Sequence, residues 1–530
     1  MGRTDETGRQ DNTMIIRAPK RKLLLACICL IALGALQCRR DEDRASSRAS
    51  TVIVAYSDDD EAIGLDSGEA RFLLFLPLVT LDEHGKLEGR LAKSWEHSPD
   101  YREWTYHLRT DVRWHDGVPV TAHDVKFTLE LLSHPEVLHI APGAIESVTV
   151  FDDSTITVRG TRWPRPDDDE LLYWTVYYPK HLLEGLDPKE ANAWEFWTHQ
   201  VGNGPYRFVR YLPETMMEFE ANPDYYRGKP RIERVVLKFT GGAESGLTEL
   251  LSGNVDVGDV KWRQIPRLAA DPRFRVYYQN WLGECAAIFW QHDHPLLGDP
   301  RVRRALTLAI NRSELLQMLN LPEDLPLFDG IYTSRQFRRS QLPEQLPYDP
   351  AQAKHLLETA GWRDTDGDGV RDRDGQAFRF TALVNTSYGQ YEPIAVYVQD
   401  QLRRVGVRME IQAVEVSMVR KRMETGEFEA AFTGLRFSLF LQRLFTRWQL
   451  GYENAEVVEL IDRLVATADP DSADNIYRRL SEIFRTDMPV TFLFPSVGTL
   501  FAHRRIQGLS SPWRANAVRH MEELWLEDED

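Results

Sequence analysis

The sequence has few cysteines, and most of them lie near its beginning. Four occur in 530 residues, and three of these, Cys27, Cys29 and Cys38, precede residue 39. No CxxC pair occurs, so the sequence lacks the redox motif and the paired zinc ligands that such pairs supply. Cys285 is the remaining cysteine, which excludes a disulfide within the rest of the chain. We expect it to be a small buried apolar residue.

Short signatures of common enzymes are also missing. The sequence contains no phosphate-binding loop, no HExxH metal motif and no GxSxG nucleophile turn. Residues 242–246, GAESG, carry their serine one position away from where a GxSxG turn requires it. Carboxylates are numerous, but their spacing singles out no catalytic pair. We therefore expect no cofactor and no enzymatic activity.

A surplus of positive charge is absent as well. The chain has 64 Lys and Arg residues against 81 Asp and Glu residues, which gives a net charge of -17 at pH 7. Binding to a nucleic-acid backbone needs a clustered positive field, so no nucleic-acid partner is expected. A chain of 530 residues also exceeds one hydrophobic core, because such cores stop growing near about 250 to 300 residues. Two or more lobes are expected.

No apolar run reaches the length of about 20 residues that a membrane-spanning helix requires. The longest is residues 23–36, which follow the basic residues 20–22, and this pattern is typical of a signal peptide. We predict that residues 1–38 are a signal peptide or lipoprotein leader, with translation beginning at Met1 or Met14. Residues 39–50 are polar and are predicted to be a flexible tether.

Cys38 resembles the lipidated cysteine of bacterial lipoproteins, although Gln37 stands where a small residue is usual. Cys27 is an alternative, but only four apolar residues precede it. We expect a lipid anchor at Cys38, and secretion without an anchor is the other possibility.

The remaining chain mixes strand and helix patterns without an internal repeat. Residues 52–56 form a short apolar run that ends in a polar loop, which is typical of a buried strand. Asp349 and Pro350 precede a helical pattern over residues 351–360, and Gly361 ends it. Farther on, a helical pattern passes through Gly406 into an alternating strand. These units predict α/β lobes, each a sheet flanked by helices.

Several longer strings are specific enough to indicate a family. Residues 87–130 read LEGRLAKSWEHSPDYREWTYHLRTDVRWHDGVPVTAHDVKFTLE. Further strings follow in order: NGPY at 203–206, NPDYYRGKP at 222–230, LSGNVD at 251–256, DPRVRRA at 299–305, AINR at 309–312, AGW at 360–362 and MPV at 488–490. Together they resemble family 5 of the bacterial extracellular solute-binding proteins, the oligopeptide-, dipeptide- and nickel-binding group. The resemblance covers nearly all of residues 51–515.

The resemblance implies an α/β fold with two lobes and an additional domain, the class II, peptide-binding type of the periplasmic-binding-protein-like fold. The implied lobe I consists of residues 51–75, 196–285 and 488–530, with the extra domain at residues 76–195. The implied lobe II consists of residues 286–487.

The same resemblance implies the function of an extracytoplasmic solute-binding protein of an ABC importer. An oligopeptide or related small solute would be captured between the lobes and delivered to the permease subunits. The chain would be exported to the periplasm or cell surface as a monomer, held at the membrane by its lipid anchor. A secreted hydrolase and a non-transport peptide sensor on the same scaffold are the alternatives.

Candidate ligand contacts also come from the resemblance. Peptide-binding relatives place an acidic residue after the strand that corresponds to residues 428–432, but no acidic residue occurs between Leu435 and Gly451. Arg436 lies there instead, and it favours a neutral or anionic ligand because like charges repel in a desolvated cleft. The alternative is that an acidic residue of lobe I supplies the counter-charge for a ligand ammonium, from among Asp58, Asp59, Asp60 and Glu61. The remaining predicted contacts are Trp290, Gln291, Tyr56, Asp59 and Tyr388.

One acidic segment resembles the start of a calcium loop. Asp364, Asp366 and Asp368 alternate as hard-cation ligands would. The twelfth position of such a loop is Gly375, where a bidentate glutamate would be expected. A solvated polar turn is therefore favoured, with calcium binding as the alternative.

Overall fold

The computed structural model describes residues 50–56, 68–82, 87–100, 102–137, 145–160, 175–259, 261–332, 341–387, 389–436, 448–467, 469–510 and 517–527. The predicted leader, and the predicted tether except its last residue, lie outside these ranges. The chain divides into two units, Met1–Thr51 and Val52–Asp530, and the description below concerns the second. Within the described residues, no helix combines the length and the apolar character needed to cross a bilayer.

The strands include two that are much longer than the rest. In chain order they are β1 (Thr51–Tyr56), β2 (Val79–Leu81), β3 (Leu87–Gly89), β4 (Ala92–His97), β5 (Glu103–Leu108), β6 (Ser147–Asp152), β7 (Thr155–Arg159), β8 (Tyr206–Leu212), β9 (Met216–Ala221), β10 (Arg234–Phe239), β11 (Val257–Asp259), β12 (Phe274–Trp290), β13 (Asp372–Arg373), β14 (Gln376–Ala377), β15 (Arg379–Asn385), β16 (Arg408–Val414), β17 (Ala430–Arg436), β18 (Val490–His503), β19 (Ile506–Gln507) and β20 (Trp525–Leu526).

The helices are mostly short and become longer toward the end of the chain. They are α1 (Arg71–Leu74), α2 (Ala122–Leu132), α3 (Lys180–Leu183), α4 (Ala243–Leu251), α5 (Ile265–Ala269), α6 (Pro300–Leu308), α7 (Arg312–Met318), α8 (Pro350–Thr359), α9 (Tyr391–Arg403), α10 (Val416–Thr425), α11 (Ala455–Ala466) and α12 (Pro470–Asp487). The helix predicted at residues 351–360 is α8, and the strand predicted at residues 52–56 is β1.

An Asp-Pro pair begins three of these helices. Asp299, Asp349 and Asp469 each precede the proline that opens α6, α8 and α12, and each carboxylate accepts a backbone N–H of the first turn. The aspartate satisfies a donor that the helix itself cannot use, while proline at the first position has no N–H to satisfy. These starts are therefore fixed by local sequence.

A ten-stranded sheet runs through the molecule in the order β16-β15-β17-β12-β18-β11-β1-β10-β9-β8. The two long strands, β12 and β18, lie in its middle and pair antiparallel with each other. A separate four-stranded sheet has the order β4-β5-β7-β6. Because β12 and β18 pair along most of their length, they connect the two halves of the large sheet.

The buried apolar side chains fall into separate clusters. The first includes Val52, Leu237 and Tyr277 together with Ala502 and Leu524, so it joins early and late parts of the chain. Two others are built almost entirely from residues 285–494, on opposite faces of β12. Cys285 is fully buried in one of them, as predicted, and this burial raises the pKa of its thiol well above the usual range.

Candidate ligand-binding site

The site lies beside β15, where the chain first adds a strand on one side of β15 and then adds the next strand on its other side. From β15 the chain passes through α9 to β16 on one side of β15, and then through α10 to β17 on the other side. All three strands are parallel. The two crossover helices diverge at the carboxyl ends of such strands, and the crevice left there is the usual place for a ligand in an α/β sheet.

A cavity of about 280 Å³ occupies this crevice. Its walls come from the long strands, from the end of β17, from the start of α9, from one side of α10, and from the segment around residue 448. The lining residues are Glu284, Gln390, Tyr391, Val416, Val419, Arg420, Met423, Thr433, Gly434, Trp448, Ser496, Val497 and Gly498. A mainly apolar cavity with a few polar groups is typical of a small-molecule or peptide site.

The end of β17 presents a partly unpaired edge to this cavity. On one side β17 pairs with β12 from Ala430 to Arg436. On the other side only its first three residues pair with β15, ending at the pair of Val384 and Phe432. Among the described residues, no strand pairs with that second side of residues 433–436. Backbone groups on such an edge can form a ladder with an extended ligand.

Successive side chains of β17 point to opposite faces of the sheet. Gly434 lies on the face covered by α9, where a Cβ atom at that position would stand 3.3 Å from the hydroxyl of Tyr391 and 3.8 Å from a carboxylate oxygen of Glu284. The phenol and the carboxylate therefore converge on the space above Gly434. Thr433 lies on the other face, which α10 covers with Val419 and Met423.

Asn385 ends β15 directly beside this edge. Its side chain is fully buried, and its amide oxygen accepts the backbone N–H of Ser387 at 2.9 Å. Its amide nitrogen has no hydrogen-bond acceptor within the part of the chain that the structure describes. A buried donor without an acceptor is costly, but Asn385 is not among the residues that line the cavity.

Two of the predicted ligand contacts are used within the fold. Trp290 is fully buried, and its indole N–H donates to the hydroxyl of Thr491 at 3.0 Å. Gln291 is buried, and its amide donates to the carbonyls of Gly426 and Gln449. Neither side chain lines the cavity, so their predicted ligand contact gains no support from this placement and stays a prediction.

The other predicted contacts lie elsewhere. Tyr56 is half-buried at the end of β1, where its ring packs against Phe239, and it does not line this cavity. Asp59 and Tyr388 lie outside the described residues, as does the side chain of Arg436. The backbone of Arg436 ends β17, directly opposite Glu284.

Sequence reasoning did not single out Glu284, although it is the acidic residue of the cavity wall. The available signal was weak: Glu284 is a lone carboxylate in the apolar stretch LGECAAIFW of residues 282–290. Its charge also contributes, after burial, to the raised pKa of the neighbouring Cys285. Arg420, on α10, brings a positive charge to the same cavity and was likewise missed.

The acidic segment forms the exposed turn that was favoured over a calcium loop. Ligand atoms of Asp364, Asp366 and Asp368 lie within 4.8 Å of one another. Several of these oxygens already accept backbone N–H groups of the same turn, including those of Gly367 and Gly369. This bonding accounts for the clustering without a cation, and calcium binding stays untested.

Comparison with known proteins finds similar sequences and structures over most of the chain. The family model for the bacterial extracellular solute-binding proteins, family 5 (middle), matches residues 86–453. The oligopeptide-binding protein AppA of Bacillus subtilis is 26% identical over 455 residues, which are 83% of each chain.

Solved structures show the same fold. AppA from Bacillus subtilis, in complex with a nonapeptide, superposes with a TM-score of 0.64 at 23% identity, over 90% of this chain and 99% of that one. NikZ from Campylobacter jejuni, in complex with Ni(L-His), gives 0.70 at 23% identity over the same shares. The α/β periplasmic-binding-protein fold implied by the sequence is thereby confirmed. The chain belongs to family 5 of the bacterial extracellular solute-binding proteins.

Proposed function

We propose that this protein captures a small extended solute, foremost an oligopeptide, in the cavity at the carboxyl end of β17 and delivers it to the permease of an ABC importer. The observation that carries this proposal is the edge of residues 433–436, which pairs on one side with β12, has no strand partner on the other side among the described residues, and contributes Thr433 and Gly434 to the cavity wall. Main-chain pairing to that edge would hold peptides of varied sequence. The oligopeptide-binding name of AppA supports the same ligand class.

Delivery would depend on closure of two lobes around the ligand. We retain as a proposal the division into lobe I (51–75, 196–285 and 488–530), extra domain (76–195) and lobe II (286–487). The separation of apolar clusters at β12 and β18 supports it, because long strands between two cores can act as a hinge. Closure would be driven by the additional contacts that the ligand makes in the closed state.

Arg436 remains a proposed ligand contact. Its guanidinium would bind a carboxylate or carbonyl group by two parallel hydrogen bonds. Its backbone position at the end of β17 supports this role. Loss of a desolvated contact of this kind in Arg436→Ala would weaken binding by about thirtyfold or more, whereas equal affinity of Arg436→Ala and wild type would remove it from the site.

The test is to purify the full chain without denaturation and to identify bound solute by native mass spectrometry. Synthetic peptides are then titrated by calorimetry, and recovered peptide is checked by chromatography. The proposal expects binding of one peptide per chain and recovery of intact peptide. Catalytic consumption of the peptide that a single substitution abolishes would favour the hydrolase alternative, and absence of any peptide binding would remove the peptide class.

A further inference from the structure

One side of α10 lines the cavity, and most of its apolar surface there is already packed. The lining residues of this helix share one side because they are spaced three or four positions apart: Val416, Val419, Arg420 and Met423. Val419 and Met423 are each only 1% exposed, since they pack into the core beneath the helix. Arg420 is exposed, so it is the charged group that a ligand meets on this wall.

The guanidinium of Arg420 has no partner among the residues that the structure describes. Other arginines nearby are paired: Arg422 donates to the amide oxygen of Gln412 at 3.1 Å, and Arg408 lies 3.9 Å from a carboxylate oxygen of Glu410. Arg420 makes no hydrogen bond or ion pair with any described residue. Its five N–H donors are therefore open to solvent or to a ligand.

The charge balance of the cavity favours a negative ligand group. Glu284 and Arg420 are the charged residues of the described lining. Glu284 already interacts with another group of the protein, whereas Arg420 does not. An unpaired positive charge thus faces a cavity whose negative charge is engaged. Such an arrangement attracts an anionic group and repels a cationic one.

A peptide in this cavity would bring a carboxylate within reach of Arg420. An extended chain that pairs with residues 433–436 directs alternate side chains toward the α10 face. The cavity of about 280 Å³ is smaller than most ligand sites, which measure about 300 to 1,000 Å³. It therefore holds a short part of a peptide, either an internal residue with its side chain or a carboxyl terminus.

We propose that Arg420 determines specificity by binding a carboxylate of the ligand, so that the protein prefers peptides with an acidic side chain or a free carboxyl terminus in the cavity. Arginine suits this role because its planar fork makes two parallel, charge-assisted hydrogen bonds to a carboxylate. The preference rests on the proposed function, because it requires a peptide along β17. It is separate from the proposed contact at Arg436, which lies on β17 rather than on α10.

The experiment uses the full chain and four synthetic pentapeptides of alanine with a central Glu or Gln, each with a free or an amidated carboxyl terminus. Comparison of Glu with Gln reports a side-chain carboxylate, and comparison of free with amidated peptides reports the terminal one. Affinities are measured by calorimetry for the wild type, Arg420→Gln, Arg420→Lys and the matched control Lys421→Gln. Lys421 is the next residue of α10, is also exposed and lies outside the cavity lining. Melting temperatures show whether each variant is folded, and Arg420→Met, which also removes the charge, replaces Arg420→Gln if the latter is not.

We expect the wild type to bind at least one of the peptides with a single carboxylate at least about tenfold more tightly than the amidated Gln peptide, since a close charge pair in a cavity contributes this much. Arg420→Gln removes that difference and Lys421→Gln keeps it. Arg420→Lys reduces it, because lysine keeps the charge but lacks the planar fork. Equal affinity for all four peptides, or a carboxylate preference that the neutral variant of Arg420 leaves unchanged, overturns this inference and leaves the proposed function standing. If none of the four peptides binds, both are overturned.

Discussion

Glu284 on β12 and Arg436 on β17 are direct cross-strand partners in the antiparallel register of the central sheet. The backbones of residues 284 and 436 are therefore adjacent, although 151 residues lie between them in the sequence. This register places Glu284 in the cavity wall, although the segment that follows β17 contains no acidic residue as far as Gly451. The site thus carries charges of both signs, since Arg420 also lines it.

Substitution Gly434→Ala should weaken ligand binding without unfolding the protein. The new methyl group would occupy the space between Tyr391 and Glu284 that a ligand is expected to use. Gly434 is absent from the residues with positive φ, so alanine imposes little backbone strain. We expect an affinity loss of at least about tenfold, equivalent to about 1.4 kcal/mol.

The control for this substitution is Gly246→Ala, in α4. A Cβ there makes ordinary contacts with Thr240 and Ala55, outside the cavity lining. Calorimetry with a bound peptide, together with a melting curve, compares the two variants. Wild-type affinity in Gly434→Ala would contradict the assignment of the α9 face as a ligand surface.

Removal of one member of a buried ion pair should strongly destabilise the protein. Arg312 makes two parallel hydrogen bonds to Asp329, at 2.9 Å and 2.8 Å, and both side chains are at most 2% exposed. Arg312→Leu leaves the Asp329 carboxylate buried without its cation. We expect a loss of about 3 to 5 kcal/mol in the free energy of unfolding, measured by urea denaturation.

The matched surface substitution is Arg403→Ala. Arg403 pairs with Asp400 at 2.7 Å, but its side chain is 73% exposed. Such a pair contributes at most about 1 kcal/mol. Equal destabilisation by Arg312→Leu and Arg403→Ala would show that burial of the Arg312 pair has no energetic consequence.

Acidification should reduce the stability of the protein in part through the buried His115. Burial lowers the pKa of His115 to about 4, and its ring accepts the N–H of Gly202 and donates to the carbonyl of Gly204, both at 3.1 Å. In the unfolded chain the same ring binds its proton near the ordinary histidine pKa of about 6.5, so the stabilising contribution is fully present above about pH 6.5. It is lost as the pH falls from there to about 4, and it amounts to at most about 3 kcal/mol.

Urea denaturation at pH 7 and pH 4 compares wild type with His115→Gln, whose amide can both accept and donate without titrating. The pH-dependent loss should be smaller in His115→Gln. His123→Gln serves as the control, because the His123 side chain is 52% exposed. If the wild type and His115→Gln lose the same stability, His115 does not titrate in this range.

Anchoring is tested at Cys38, which lies outside the described residues. Cys38→Ala should abolish incorporation of a labelled fatty acid and leave an unprocessed or soluble protein. Cys27→Ala is the comparison and should label normally. Labelling that persists in Cys38→Ala and disappears in Cys27→Ala would transfer the anchor to Cys27.

The sequence alone determined those features that depend on neighbouring residues. Asp349 and Pro350 fix the beginning of α8 because an aspartate side chain reaches only the first turn that follows it. The apolar residues after Thr51 fix β1, and the ordered family strings fix the α/β fold. Such signals require no knowledge of which distant residues meet.

Only the tertiary structure decided which residues form the cavity, because those residues meet through strand register and helix packing. Trp290 and Glu284 lie on the same face of β12, six residues or about 20 Å apart. Trp290 is enclosed by the core beneath α9, whereas Glu284 reaches the crevice where β15 has already ended. Trp290 and Gln291 were predicted as ligand contacts from the family resemblance, whereas the point at which a neighbouring strand stops places Glu284, Tyr391 and Gly434 at the cavity.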